Sequence, residues 1–271
     1  MTPRGRLFRR YAVPFAALVS AALLASGAIE IYLSYQENKG ALVALQREKA
    51  LAAAARIEQF VREIERQLVW TTHHQLVTGP AALEQRRVDH YRLLRQVPAI
   101  TEVSQLDPKG REQLGVSRLA MERIGGQADF SRDPKFTVAR AGKTYFSPVY
   151  FRKESEPYLT VSMPGPGGAP TVTVAEVNLK FIWDVVSQIR IGKAGQAYVV
   201  DSAGQLIAHP DISLVLKKTD LSGLRQVQAA RAVRDGAPGA GGDDTAIADD
   251  LLGRKVLTAS APVAPLGWSV I

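Results

Sequence analysis

Eight polar residues between positions 132 and 176 have the types and spacing to hold a small charged molecule: Arg132, Asp133, Tyr145, Ser147, Tyr150, Tyr158, Thr160 and Glu176. They fall on strands and on the loop before them, and strand residues two apart, such as Tyr145 with Ser147 and Tyr158 with Thr160, share a face. A guanidinium takes an anionic group, a carboxylate takes an ammonium, and phenol rings add apolar area with a hydrogen-bonding tip. Together these would let a small concave site orient a charged or zwitterionic metabolite. The competing reading of each tyrosine is a half-buried strand residue with a locally satisfied hydroxyl.

Catalytic arrangements do not emerge. The chain has no cysteine, which excludes disulfides, thiolate nucleophiles, iron-sulfur clusters and cysteine-ligated zinc. His73 and His74 are adjacent, so on a helix they point about 100° apart and cannot act as an i, i+4 metal pair. His90 lies in the helical stretch Arg86 to Gln96 and reads as structural. Ser162-Met163-Pro164-Gly165 is not a nucleophile elbow, and Gly165-Pro166-Gly167-Gly168 lacks the following Lys-Ser/Thr of a phosphate loop. The chain therefore reads as non-enzymatic, with no catalytic residue, metal site or cofactor assigned.

The elements that must position the polar set begin at a membrane. Arg4, Arg6, Arg9 and Arg10 precede a run from Tyr11 to Ile29 without a charged residue. As a helix that run is about 28 Å long, close to the roughly 30 Å of a bilayer core. The arginines keep residues 1–10 in the cytoplasm and send the rest across, with 11–33 as the span. A cleaved signal ending near Ser26, Gly27 and Ala28 is the alternative, and it leaves the compartment unchanged. The net charge of +8, from 34 basic and 26 acidic residues, is thus in part topogenic. The exported part has no Lys/Arg cluster interleaved with aromatics, so no nucleic-acid partner is expected.

A stalk helix follows, over 36–78 and clearest from Gln36 to Gln75, rich in Ala, Leu, Glu, Arg and Gln. Ile57, Phe60, Val61, Ile64 and Leu68 recur at helical spacing, either to pack on the chain's own domain or to form a dimer seam. Beyond it the period changes to that of strands. Ala99 to Leu106 and Arg111 to Ser117 read as a hairpin closed by Asp107-Pro108-Lys109-Gly110, and Gln196 to Val200 and Gln205 to His209 read as another closed by Asp201-Ser202-Ala203-Gly204. The two turn aspartates are 94 positions apart. Each hairpin is followed by a glycine-plus-base opening and a strand ending in Pro-Val: Gly142 to Val149 and Gly253 to Val263. This predicts two tandem α/β modules, since solenoid repeats run only about 20 to 50 residues. Tyr158 to Met163 and Thr171 to Val177 read as further strands, Leu179 to Ile191 as an amphipathic helix bridging the halves, and Asp235 to Asp244 as a surface insertion.

The run Ile191-Gly192-Lys193-Ala194-Gly195-Gln196-Ala197-Tyr198-Val199-Val200-Asp201, continued by Gly204-Gln205-Leu206-Ile207-Ala208-His209-Pro210-Asp211, resembles the membrane-proximal module of double Cache (dCache) extracellular sensor domains, and Ala264-Pro265-Leu266-Gly267-Trp268-Ser269-Val270 is similar to that family's last strand. The resemblance covers about Gln36 to Ile271 and explains His209 as part of a strand end. It implies an α+β chain: an N-terminal transmembrane helix, a stalk helix and two PAS-like modules of antiparallel sheet with flanking helices, membrane-distal over 79–190 and membrane-proximal over 191–271. It further implies an input region in the cell (inner) membrane, homodimeric through the stalk, with a second span past Ile271. The output would be a histidine kinase, an adenylate/guanylate or diguanylate cyclase, or a chemotaxis signalling rod, and a stand-alone exported binding module is the other class. Glu176 falls where amino-acid-binding dCache domains carry a carboxylate for the ligand amine. The arginine and Trp-Tyr signature of that subclass is not matched by Arg132-Asp133-Pro134-Lys135-Phe136.

Overall fold

The computed structural model describes residues 4–73, 80–126, 128–152, 156–165, 171–191, 195–234, 236 and 247–271. His74 and most of the glycine-rich tract 235–244 lie outside them. The chain divides into two compact units, residues 1–46 and 47–271.

The first unit holds the N-terminal part of helix α1 (Arg4–His73). Among the described residues this is the one helix long and apolar enough to cross a bilayer, and its Phe15, Leu18, Leu23, Leu24 and Ile29 are exposed side chains.

In the second unit, the rest of α1 shows why its apolar residues recur every three or four positions. Ala50, Ala53, Ala54, Ile57, Ile64 and Leu68 enter one continuous core, and Phe60 stacks on Phe181 at 4.7 Å between ring centroids. This is the packing expected of a helix laid on its own domain. Helix α2 (Pro80–Gln96) adds Leu93 and Leu94 to the same core.

The first sheet is built from β1 (Ile100–Leu106), β2 (Glu112–Ser117) and β3 (Arg123–Ile124), then, after helix α3 (Pro134–Arg140), β4 (Tyr145–Phe146), β5 (Tyr150–Arg152), β6 (Glu156–Pro164) and β7 (Val172–Asn178). The order is β3-β2-β1-β7-β6-β4, with β5 also paired to β6. The two faces differ in chemistry because side chains alternate along each strand. The row Val116, Val103, Ala175, Val161 belongs to the helix-covered core, together with Leu114, Leu159 and Val177. Polar residues occupy much of the other face. At one end of that face α3 lies over Leu106, Val172 and Val174 through Phe136 and Ala139.

Helix α4 (Lys180–Ser187) buries Ile182, Val185 and Val186 against the same core. It is shorter than the sequence pattern predicts. After Ser187 the chain turns into β8 (Arg190–Ile191), which pairs with β9 (Gly195–Gln196), so backbone pairing claims the segment that periodicity would extend as helix.

The second module contains β10 (Val199–Val200), β11 (Leu206–Ala208), helices α5 (Ile212–Leu216) and α6 (Arg225–Arg234), β12 (Ile247–Asp249), β13 (Lys255–Leu257), β14 (Ala261–Val263) and β15 (Trp268–Val270). Its main sheet runs β11-β10-β15-β14. Neither segment expected as a single strand ending in Pro-Val is continuous: the first is strand only at β4, which stops before Pro148 and Val149, and the second divides into β13 and β14.

The two hairpins are the same device in detail. Asp107 Oδ1 accepts from the amides of Lys109 and Arg111, and Asp201 Oδ1 from those of Ala203 and Gln205. Gly110 (φ 82°) and Gly204 (φ 94°) close the turns, and a Cβ on either would sit 2.7 or 2.8 Å from the backbone of Ser131 or Ser222. Those serines begin matching segments, with Phe130 N donating to Gly110 O and Leu221 N to Gly204 O. Asp129 and Asp220 each accept from the amide two residues on. A third turn of this kind, Asp250 to Gly253, was not singled out in the sequence.

Candidate functional site

The polar face of the first sheet is laid out in rows by strand register. Tyr145 on β4 pairs with Ser162 on β6, then Val174 on β7 and Ser104 on β1. In the next row Thr160, Glu176 and Glu102 are successive partners, and in the row beyond, Tyr150, Tyr158 and Asn178. Directly opposed Cβ atoms in such rows are about 4.5 to 5.5 Å apart. Five of the eight sequence-chosen residues, Tyr145, Tyr150, Tyr158, Thr160 and Glu176, therefore share one surface.

Two carboxylates on this face are already matched by cations. Glu102 accepts from Arg123 Nη2 at 2.5 Å and from Arg152 Nη2 at 3.1 Å, one arginine arriving from β3 and the other from β5. Glu112 takes Arg123 Nε at 2.9 Å and Nη2 at 2.8 Å, and the Ser104 hydroxyl at 2.8 Å. Burial opposes ionisation of Glu102, but its two arginines outweigh it and hold the carboxyl below the usual range. Glu112 is lowered mainly by its Arg123 hydrogen bonds. Arg123 is raised further by the same contacts.

Glu176 stands between these groups in a different condition. It accepts from the Thr160 hydroxyl at 3.1 and 3.2 Å, and no arginine or lysine among the described residues pairs with it. Burial pushes its carboxyl up to about 7; Lys135 works against that shift, while the charges of Glu102 and Asp133 add to it.

The remaining predicted residues have definable places. Tyr158 is buried, its ring 6.1 Å from that of Tyr150 and under the Arg152 guanidinium at 5.9 Å, with its hydroxyl between Asn178 and Glu156. Tyr145 is half-buried, and burial followed by the charge of Asp133 raises its phenol. Ser147 accepts from the Thr160 amide at 2.9 Å and donates to Pro148 O, a clasp of the strand edge. Asp133 caps α3, accepting from Lys135 N at 2.9 Å. Arg132 is not brought to the carboxylates: it is exposed, and its charge is felt by Asp129.

Sequence reasoning missed the cations that do reach this face. Arg123 and Arg152 sit on two- and three-residue edge strands that hydrophobic periodicity cannot register, and Lys135 sits in the first turn of α3. Lys135 Nζ lies 3.8 Å from the Phe130 ring centroid and 4.0 Å from Asp133, and its charge acts on both Glu176 and Glu112. Its adjacency to Asp133 was the available signal. His90 is fully buried in α2, and burial lowers its ring to about 4. His209 Nδ1 accepts from the Asp211 amide at 2.9 Å. No group of three or more His, Cys, Asp or Glu suited to a metal occurs among the described residues.

The chain is thus an antiparallel α+β domain with a repeated turn, a long helix packed on its sheets and one polar sheet face. The sequence pattern of the family described as Cache domain, dCache_1, matches residues 31–271, and the chain belongs to that family. Solved structures agree in fold. The extracellular domain of the putative histidine kinase mmHK1S-Z2 superposes with a TM-score of 0.64 at 18% identity, covering 88% of this chain and 95% of that one. The sensory domain of the Campylobacter jejuni chemoreceptor Tlp3 (CcmL) with isoleucine bound gives 0.59 at 15% identity, over 89% and 93%. The ligand-binding domain of the Pseudomonas aeruginosa PAO1 amino acid chemoreceptor PctC with GABA gives 0.55 at 18% identity, over 81% and 93%. No curated protein matches the chain in sequence.

Proposed function

We propose that this chain is the sensory input region of a membrane receptor, held by the apolar part of α1, and that the polar face of its first module binds a small metabolite carrying an ammonium group. The observation that carries this reading is Glu176: a half-buried carboxylate with no ion-pair partner among the described residues, opposed by Thr160, on the same face as Tyr145, Tyr150 and Tyr158. An ammonium there would compensate that carboxylate. Lys135 and Tyr145, beside Asp133, supply a cation and a phenol for an anionic end, so a zwitterion fits better than a simple amine. Tlp3 with isoleucine and PctC with GABA support the class.

The domain boundaries at 79–190 and 191–271, a dimer through the stalk and a cytoplasmic output such as a histidine kinase or cyclase complete the proposal. The test is a thermal-shift screen of amino acids and small amines against the full chain in detergent, with Glu176→Gln and Arg132→Ala alongside. A zwitterion that stabilises wild type and Arg132→Ala but not Glu176→Gln is the expected result. Equal binding by Glu176→Gln would move the site elsewhere.

A further inference from the structure

Strand β5 contacts both modules with alternate side chains. Tyr150 and Arg152 belong to the first: Tyr150 pairs with Tyr158, their rings 6.1 Å apart, and Arg152 Nη2 reaches Glu102 at 3.1 Å. Phe151, between them, points the other way, as alternation on a strand requires. It packs against the second module's own core of Val200, Leu206, Val215, Leu221 and Val227, with Lys218 Nζ 5.8 Å from its ring centroid. Three consecutive residues thus join the charged centre of the candidate site to the interior of the other half.

We propose that β5 is the mechanical link between the modules, with Arg152 sensing the state of the Glu102 carboxylate and Phe151 passing the displacement into the second core. Glu102 is where the link meets the site, because it is the strand-register partner of Glu176 and is shared by Arg152 and Arg123. A change in charge at Glu176 alters the field at Glu102 and with it the hold on Arg152. Because β5 is only three residues long and paired to β6 alone, it can shift without breaking the sheet. Phe151 is half-buried against the second module's core, so its movement changes the packing of that core. The input to this link rests on the proposed Glu176 site, whereas the coupling from Arg152 to the second core is tested without any ligand, so failure of one is distinguishable from failure of the other.

The test is amide hydrogen exchange on the full chain in detergent. The reporters are second-module amides with defined partners: Tyr198 to Ile271 O, Leu206 to Thr219 O and Leu221 to Gly204 O. Val97, bonded to Leu93 O, is the reference in the first module. Arg152→Gln should speed exchange at the three reporters about ten-fold, within the usual range of coupling between sites, with Val97 unchanged. In a Phe151→Ala background the same substitution should change them less than two-fold, whereas Phe151→Leu, which keeps apolar contact, should preserve the effect; Glu102→Gln should reproduce Arg152→Gln. The link is overturned if the reporters do not respond, if they respond equally in Phe151→Ala, or if Val97 accelerates in step with them.

Discussion

The same turn opens each module, yet the sheet face beneath it has opposite chemistry in the two. Ser104 and Glu112 in the first module correspond, by the spacing of 94 between turn aspartates, to Tyr198 and Leu206 in the second. Phe136 and Ala139 of α3 correspond to Val227 and Ala230 of α6, all four buried, by the spacing of 91 between Asp129 and Asp220. Lys135 and Asp133 give way to Gln226 and Leu224 on the same spacing. The second module thus closes this face with Val200, Leu206, Leu221 and Val227, whereas the first fills it with Glu102, Glu112, Arg123, Arg152 and Glu176. Burying charge costs several kcal/mol per ion unless each is paired. A module that keeps such a face has a use for it, and its twin shows that the fold does not require it.

The comparison can be broken hardest by moving a charge across it. Leu206→Glu places in the second module the residue that Glu112 is in the first, but in the apolar cluster of Val200, Leu221 and Val227. It should cost about 4 kcal/mol, or prevent folding, as urea denaturation at pH 7 would show. Removing the counterion has a similar logic from the other side. Arg123→Ala leaves Glu102 with one arginine and Glu112 with a serine, and should cost about 3 kcal/mol. If it costs under ~1 kcal/mol, the ion network is not holding the face together.

The repeat itself is tested by Gly110→Ala and Gly204→Ala. Each puts a Cβ within 2.8 Å of a serine backbone at positive φ. Each should cost about 2 kcal/mol by thermal denaturation; values differing by more than ~1 kcal/mol would mean that the two turns are not mechanically equivalent.

Glu176 sharpens the comparison through pH. Its folded carboxyl, near 7, lies above its value in the unfolded chain, so the native state binds the extra proton. The stability it contributes is present below the unfolded value of 4.5 and is lost as pH rises through about 7. Glu176→Gln should therefore be more stable than wild type at pH 8, by roughly 1 kcal/mol after allowing for residual solvent screening, and no more stable at pH 4. A ligand ammonium should bind about ten-fold more tightly at pH 8 than at pH 6, by calorimetry, because only the ionised carboxylate accepts it. The smallest effect is expected from Arg132→Ala, within ~0.5 kcal/mol in both stability and ligand affinity, since that side chain is exposed.

Much of this fold could be read along the chain. Both Asp-x-x-Gly turns, the strands of β1, β2, β6 and β7, and the buried stripe of α1 follow from short-range patterns of turn residues and hydrophobic period. Tyr158, Thr160 and Glu176 could be chosen because they lie on the long strands β6 and β7, where period-two spacing assigns a face. Arg123 and Arg152 could not, since elements of two or three residues have no period to detect, and Arg132 was chosen as the guanidinium of the loop before the strands, which the fold leaves exposed.

By itself, then, the sequence determined the apolar run within α1, the buried stripe of that helix, the repeated hairpin turn and the face on which Glu176 lies, because all of these depend on neighbours within a few residues. Tertiary structure decided which carboxylates are neutralised. Glu102 is 21 positions from Arg123 and 50 from Arg152, and whether those pairs form depends on strand order across the sheet. It also decided that Glu176 has no ion-pair partner among the described residues, for the same reason. An ion pair is a contact in space whose strength falls within a few ångströms, and nothing in the order of residues measures that distance.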